Sequence, residues 1–169
     1  MTVRIARHPI HPMLVPLPIG LLVFSLVCDL IGLWHADNPA WPIVALYCIG
    51  GGVVGALLAA VFGFADFLAL SESRARRLAV WHMVANLTVV ALFVVSFMLR
   101  LGAPHTPPSA ILISFVGIAL LGVSGWLGGE MVYVHGVGAA TTADAPESAA
   151  DAVDRQDAAA RRQDRPFRA

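Results

Sequence analysis

The 169 residues are 58% hydrophobic and only 13% charged, with a formal net charge of zero and a mean hydropathy of +0.76. Soluble domains run nearer half apolar and a quarter charged, so this balance excludes an ordinary water-soluble fold, and the length suits one domain rather than two. The eleven basic residues are matched by eleven acids, which leaves no basic surplus for nucleic acid.

The chain opens on R-H-P-I-H-P-M-L-V-P-L-P, with four prolines among residues 9 to 18. Proline fixes φ and lacks a donor, which predicts His8 and His11 on an extended segment or the first turn of a helix. The first apolar block, 13–34, follows Arg4 and Arg7 in the manner of a signal peptide. It is too long for an h-region and no A-x-A-like site closes it, so it reads as a retained helix. Three more blocks follow at 42–70, 78–101 and 109–134. Each reaches the ~20 residues that carry a helix across a ~30 Å hydrocarbon core. Membrane strands need only about ten and alternate polar with apolar, so helices, which satisfy their own backbone in lipid, are predicted.

Trp34 and Trp41 flank the first connection, as an interfacial aromatic belt requires. Cys28 and Cys48 sit inside apolar segments and read as small buried residues rather than a disulfide. In the second block Gly51, Gly55, Ala59 and Gly63 recur every four residues. Gly122, Gly125 and Gly129 repeat the device in the fourth, and both stripes are expected to bring helices close together. The connections S-E-S-R-A-R-R and L-G-A-P-H-T-P-P-S are short, so neighbouring helices run antiparallel. The predicted fold is therefore all-α: an integral membrane up-down-up-down four-helix bundle over 1–138. The stretch 139–169, rich in Ala, Asp and Arg, is expected to be a disordered tail. Asp151/Arg155 and Asp157/Arg161 have the i,i+4 spacing of a transient surface helix.

Every basic residue is arginine. Arg4 and Arg7 precede the first helix, Arg74, Arg76 and Arg77 lie between the second and third, and five more are in the tail. Only Arg100 lies on the other side. The positive-inside rule then puts both termini in the cytoplasm. This topology gathers His8, His11, Asp66, His82, Glu130 and His135 at one face. Acids and bases in membrane helices cost roughly 2.5–3.5 kcal/mol at the bilayer centre, so they face protein or water. Asn86 shares a helix face with His82 at i,i+4. Three readings compete: ligands for a transition metal or haem, a structural network tying helix ends together, and the mouth of a proton or solute path. The third is weakest, because few polar residues continue it through the bundle. At the opposite end Asp29 and Arg100 are expected to form a structural ion pair. No nucleophile elbow, P-loop or Rossmann fingerprint is present, so no catalytic residues are assigned.

The H-P-I-H-P-M-L-V-P-L-P-I-G opening, G-F-A-D-F-L-A-L, W-H-M-V-A-N-L and the closing S-G-W-L-G-G-E-M-V-Y-V-H-G-V-G resemble the bacterial transmembrane family catalogued as domain of unknown function 2231. The resemblance covers about residues 7–138 and its motifs fall on the six gathered residues. Some members of that family are joined to Rieske-type iron–sulfur domains, which implies a redox setting, although no such domain is present in these residues.

The resulting expectation is a protein of the bacterial inner membrane that binds haem b or a transition-metal ion for electron transfer. His82 and His11 are the preferred ligands, His8 and His135 the alternatives, and Asp66, Glu130 and Asn86 support them. The alternative is an accessory membrane subunit with no cofactor. Expected partners are the lipid bilayer, a redox protein and further copies of the chain.

Overall fold

Proline spacing shapes the way the chain enters the membrane domain. In the computed structural model, which describes residues 4–5, 8–71, 73–103, 105–137 and 156, β1 (Arg4–Ile5) pairs antiparallel with β2 (His8–Pro9). A short helix α1 (Ile10–Leu14) follows and gives way at Val15 to α2 (Pro16–Trp34). Pro16 cannot donate to the preceding turn, so the helix is interrupted there without losing its course. Val15 N–H still reaches His11 O at 3.2 Å, and Ile19 N–H reaches Val15 O at 3.3 Å. Helical structure thus begins at residue 10 instead of 13, because Pro12 sits in a first turn that needs no donor from it.

The other helices are α3 (Ala40–Leu68), α4 (Arg74–Arg100) and α5 (Pro108–Tyr133). Helix α4 starts four residues ahead of its apolar block. The reason is a cap rather than hydropathy: Ser73 Oγ accepts from Arg76 N–H at 3.3 Å, satisfying a donor that the first turn leaves open. Arg76 then folds back, donating to Leu70 O at 2.7 Å with its guanidinium 4.7 Å over the Phe67 ring. Helix α5 ends on Gly136 at φ +65°. Val137 N–H bonds Met131 O at 2.9 Å and Gly136 N–H bonds Val132 O at 3.1 Å, so the chain folds back over the last carbonyls at a left-handed glycine.

Among the described residues there are four helical rods of 25 to 29 residues, counting α1 with α2, all long and apolar enough to cross a membrane. They run up-down-up-down. The tightest pairings are α2 with α3 and α4 with α5, and α3–α4 and α2–α5 close the bundle. The fold is the all-α membrane bundle. The proposed tail, including its i,i+4 pairs, lies outside the described residues apart from residue 156.

The interior follows a rule that hydropathy hides. The fully buried positions are Ala79, Val89, Phe93, Ser96 and Arg100 on α4 and Ala110, Ser114, Gly117, Ser124 and Met131 on α5, and half-buried His82, Asn86, Leu121 and Gly128 fill the gaps between them. These alternate by three and four residues, the 3.5 period of left-handed bundle packing. Leu22, Ile49, Val89 and Phe93 form the apolar centre. Ser25, Ser96, Ser114 and Ser124 are as fully buried as they are, whereas large residues such as Leu17, Val61, Leu112 and Phe115 face outward. In lipid the exterior needs no polarity, so small and polar side chains line the seams instead. Cys28, buried, and Cys48, half-buried, are free thiols.

The two glycine stripes behave differently. On α3, a Cβ at Gly51 would meet Leu21 at 3.4 Å, at Gly55 Pro18 at 3.5 Å and at Gly63 His11 at 2.8 Å. That stripe is a helix contact. On α5, Gly122 and Gly125 have no such neighbour within 4 Å and Gly129 meets only Tyr133 of its own helix. The close approaches on α5 fall at Gly117, under Phe93, and Gly128, under His82. Gly122, Gly125 and Gly129 keep the seam's three-four spacing but each stands one residue past a seam position, Leu121, Ser124 and Gly128. One residue is about 100° of rotation, which is why the expected α5 stripe turns outward.

Candidate functional site

Both ends of the bundle carry polar machinery. At the end where the chain begins, His11 on α1 donates from Nδ1 to Ala59 O on α3 at 2.8 Å. Its ring lies over Gly63, where a Cβ would stand 2.8 Å from Cε1. On the other pair of helices, His82 of α4 donates from Nδ1 to Ser124 O of α5 at 2.9 Å, with Ser124 Oγ 3.0 Å from the same nitrogen. Gly128 makes room for that ring, its Cβ position being 3.2 Å from Cε1. A carbonyl can only accept, so both imidazoles carry their proton on Nδ1 and, when neutral, keep a lone pair on Nε2. The His82 Nε2 accepts from Asn86 Nδ2 at 3.0 Å, and that amide also donates to His82 O at 2.9 Å.

The remaining residues of this end lie at or near the ends of their own elements. His8 is held in β2 by its backbone, and its side chain lies outside the described atoms. Asp66 is half-buried in the last turn of α3, and Glu130 is half-buried near the end of α5. His135 follows α5 with Nε2 buried and without a hydrogen-bond partner. Topology therefore brings the six to one end, but among the described residues no three His, Cys, Asp or Glu side chains converge as a metal-ion site.

At the far end, Arg100 and Asp29 form a bidentate pair, Nη1 to Oδ1 at 2.6 Å and Nη2 to Oδ2 at 2.8 Å. Both side chains are buried, at 3% and 0% exposure, a degree of burial at which unmet donors are costly. Beyond the carboxylate, the guanidinium donates from Nη2 to Ser114 Oγ at 3.2 Å and from Nε to Ser96 Oγ at 3.3 Å, so four of its five N–H groups have partners. The two hydroxyls lie 2.9 Å apart, and Ser96 also donates to Ala110 O at 2.9 Å. One network thus ties α2, α4 and α5. Recesses open beside it. One, between α3 and the end of α4, is lined by Pro42, Ile43, Leu46, Arg100 and His105. The other, between α2 and α5, is lined by Leu26, Leu30, Leu33, Ile111 and Leu112.

Sequence reasoning named the imidazoles, the ion pair and the Gly128-Gly129 pair before Glu130, but not Ser96, Ser114 or Ser124. The signal was present: on α4 and α5 these positions share the three-four spacing with Ala79, Val89, Phe93 and Ala110. A search for apolar stripes passes over it because the seam residues are small or polar.

Neither a curated protein nor a solved structure matches this chain. The family profile described as predicted membrane protein (DUF2231) matches residues 7–141, a stretch that includes all four helices and both polar ends. The chain is therefore a member of that family of predicted membrane proteins.

Proposed function

We propose that the imidazole pair His11 and His82 is a ligand site for haem or a transition-metal ion, serving electron transfer to a partner protein. The observation that carries this reading is the tautomer. In each ring a backbone carbonyl takes the Nδ1 proton, the arrangement by which proteins orient metal-binding histidine and leave Nε2 as the donor atom. Imidazole suits Fe, Cu, Zn and Ni, and two histidines from different helices can hold haem from both faces. Haem, iron or copper, when bound there, would supply one-electron chemistry, which zinc cannot. The protein supplies orientation: Gly63 and Gly128 admit the rings, His135 offers a further buried nitrogen, and the Asn86 amide would have to turn away from Nε2 of His82 to free it as a ligand.

A second reading rests on its own observation. Asn86 already occupies the His82 lone pair, so the imidazoles serve as staples between helices in an accessory membrane subunit without a cofactor. Absorption spectra and metal analysis of the protein purified in mild detergent separate the two. The ligand reading expects a Soret band or stoichiometric metal, lost in both His11→Ala and His82→Ala. Colourless, metal-free protein in which His82→Ala costs about 1–3 kcal/mol of stability would replace it with the staple.

Orientation follows the arginines. Arg4 and Arg7 at one terminus and Arg74, Arg76 and Arg77 between α3 and α4 put this end in the cytoplasm, in a bacterial inner membrane. A cysteine placed at exposed Arg77 should react with an impermeant thiol reagent in inverted vesicles and stay protected in intact cells. The opposite pattern reverses the orientation.

A further inference from the structure

The contacts at the two ends repeat with a fixed offset. On the first helix of each hairpin the offset is 71 residues: His11 and His82, Leu22 and Phe93, Ser25 and Ser96, Asp29 and Arg100. On the second helix it is 65: Ala45 and Ala110, Gly52 and Gly117, Ala59 and Ser124, Gly63 and Gly128. Each pair does the same thing in its own hairpin. His11 gives Nδ1–H to Ala59 O beside Gly63, and His82 gives Nδ1–H to Ser124 O beside Gly128. Leu22 covers Gly52, with 2.6 Å to a built Cβ, and Phe93 covers Gly117 at 2.8 Å. Ser25 and Ser96 are both fully buried, as are Ala45 and Ala110. Even the recesses correspond, since Ile43, Leu46 and Tyr47 become Pro108, Ile111 and Leu112 under the 65-residue offset, and five of those six line a recess.

We infer that the chain is two quasi-equivalent helical hairpins, α1–α2–α3 and α4–α5, paired about a pseudo-two-fold axis along the bundle, with Asp29 and Arg100 as the key to their pairing. Parallel repeats of membrane helices are related by an axis of this direction. In an isologous interface a residue on the axis meets its own copy. That is what the equivalents do here: Asp29 meets Arg100 at one end, and Leu22 shares the central cluster with Phe93, while His11 and His82 stand at the other end, each bonded within its own hairpin. Identical charges at the first of these positions would repel inside the protein. Opposite charges make each hairpin complementary to the other and not to itself, so the surface is specific for a hairpin of the second type.

Charge transfer across the axis tests this in the full-length chain. Asp29→Arg and Arg100→Asp are each expected to reduce the monodisperse protein recovered from membranes at least about tenfold. The combined swap should recover most of it, because Ser25 stands where Ser96 now meets the guanidinium. Only the counterpart of Ser114 is missing, the equivalent position being Ile49. Adding Ile49→Ser and Ser114→Ile should therefore bring the swapped chain to within about threefold of the unaltered one, since the transferred pair regains its hydroxyl. An ordinary ion pair has no equivalent surroundings to exchange. If the fourfold variant is recovered no better than the weaker single reversal, the repeat relationship is wrong. Recovery is measurable even at zero, so a chain that fails to fold still decides the matter.

Discussion

Arg100→Leu is expected to destabilise the bundle by about 3–5 kcal/mol, the usual consequence of leaving one charge of a buried pair without its partner. Asp29 would remain in a site of 0–3% exposure whose hydroxyls, Ser96 and Ser114, are positioned for a guanidinium and not for a carboxylate. Replacing both partners, Asp29→Leu with Arg100→Leu, removes the desolvation cost as well as the attraction and should be neutral or stabilising by about 1–4 kcal/mol. Reversible unfolding in mixed micelles measures both. The pair of results matters more than either alone. If the double variant is as damaged as Arg100→Leu, the ion pair contributes stability outright; if it is not, the pair exists for specificity, as its place between the hairpins suggests.

The glycines give the second large effect, and a contrast in sign. Gly52→Ala and Gly117→Ala each put a Cβ into a neighbour, 2.6 Å from Leu22 and 2.8 Å from Phe93. Overpacking of this kind costs about 1–3 kcal/mol, because the seam cannot widen locally without moving a helix. Both neighbours lie in the central cluster, so neither can swing away cheaply. Gly122→Ala and Gly125→Ala meet nothing within 4 Å and should be neutral, or gain about 0.5–1 kcal/mol from reduced backbone freedom in the unfolded chain. Thermal unfolding in detergent orders the four variants. Should Gly122→Ala cost as much as Gly117→Ala, the outward placement of the α5 stripe is mistaken.

Much of the architecture was legible before any coordinates. Four apolar blocks, short connections and the proline-rich opening specify the number, order and sense of the helices. Where the ends fall was less legible, since caps override hydropathy: Ser73 starts α4 inside what reads as a loop, and Gly136 closes α5. The α5 glycines were misread because their three-four spacing matches a seam that actually runs one residue earlier, through Leu121, Ser124 and Gly128, and spacing alone does not fix which face is inward. The repeat went unseen for a related reason. Few equivalent positions keep the same residue, as His11/His82, Ser25/Ser96 and Gly52/Gly117 do, and the offset changes from 71 to 65 between the two helices.

Composition and block length by themselves determined that this chain is a four-helix membrane protein, because lipid permits a backbone to cross only when it satisfies its own hydrogen bonds. They also determined which ionisable groups share an end. What tertiary structure alone decided is the partner of each: that both imidazoles spend Nδ1 on a carbonyl of the next helix, and that two serines complete the Arg100 site. Those choices depend on the rotation of each helix about its axis to within a fraction of a turn. In a segment apolar on every side, that rotation is set by where small residues let the backbones meet.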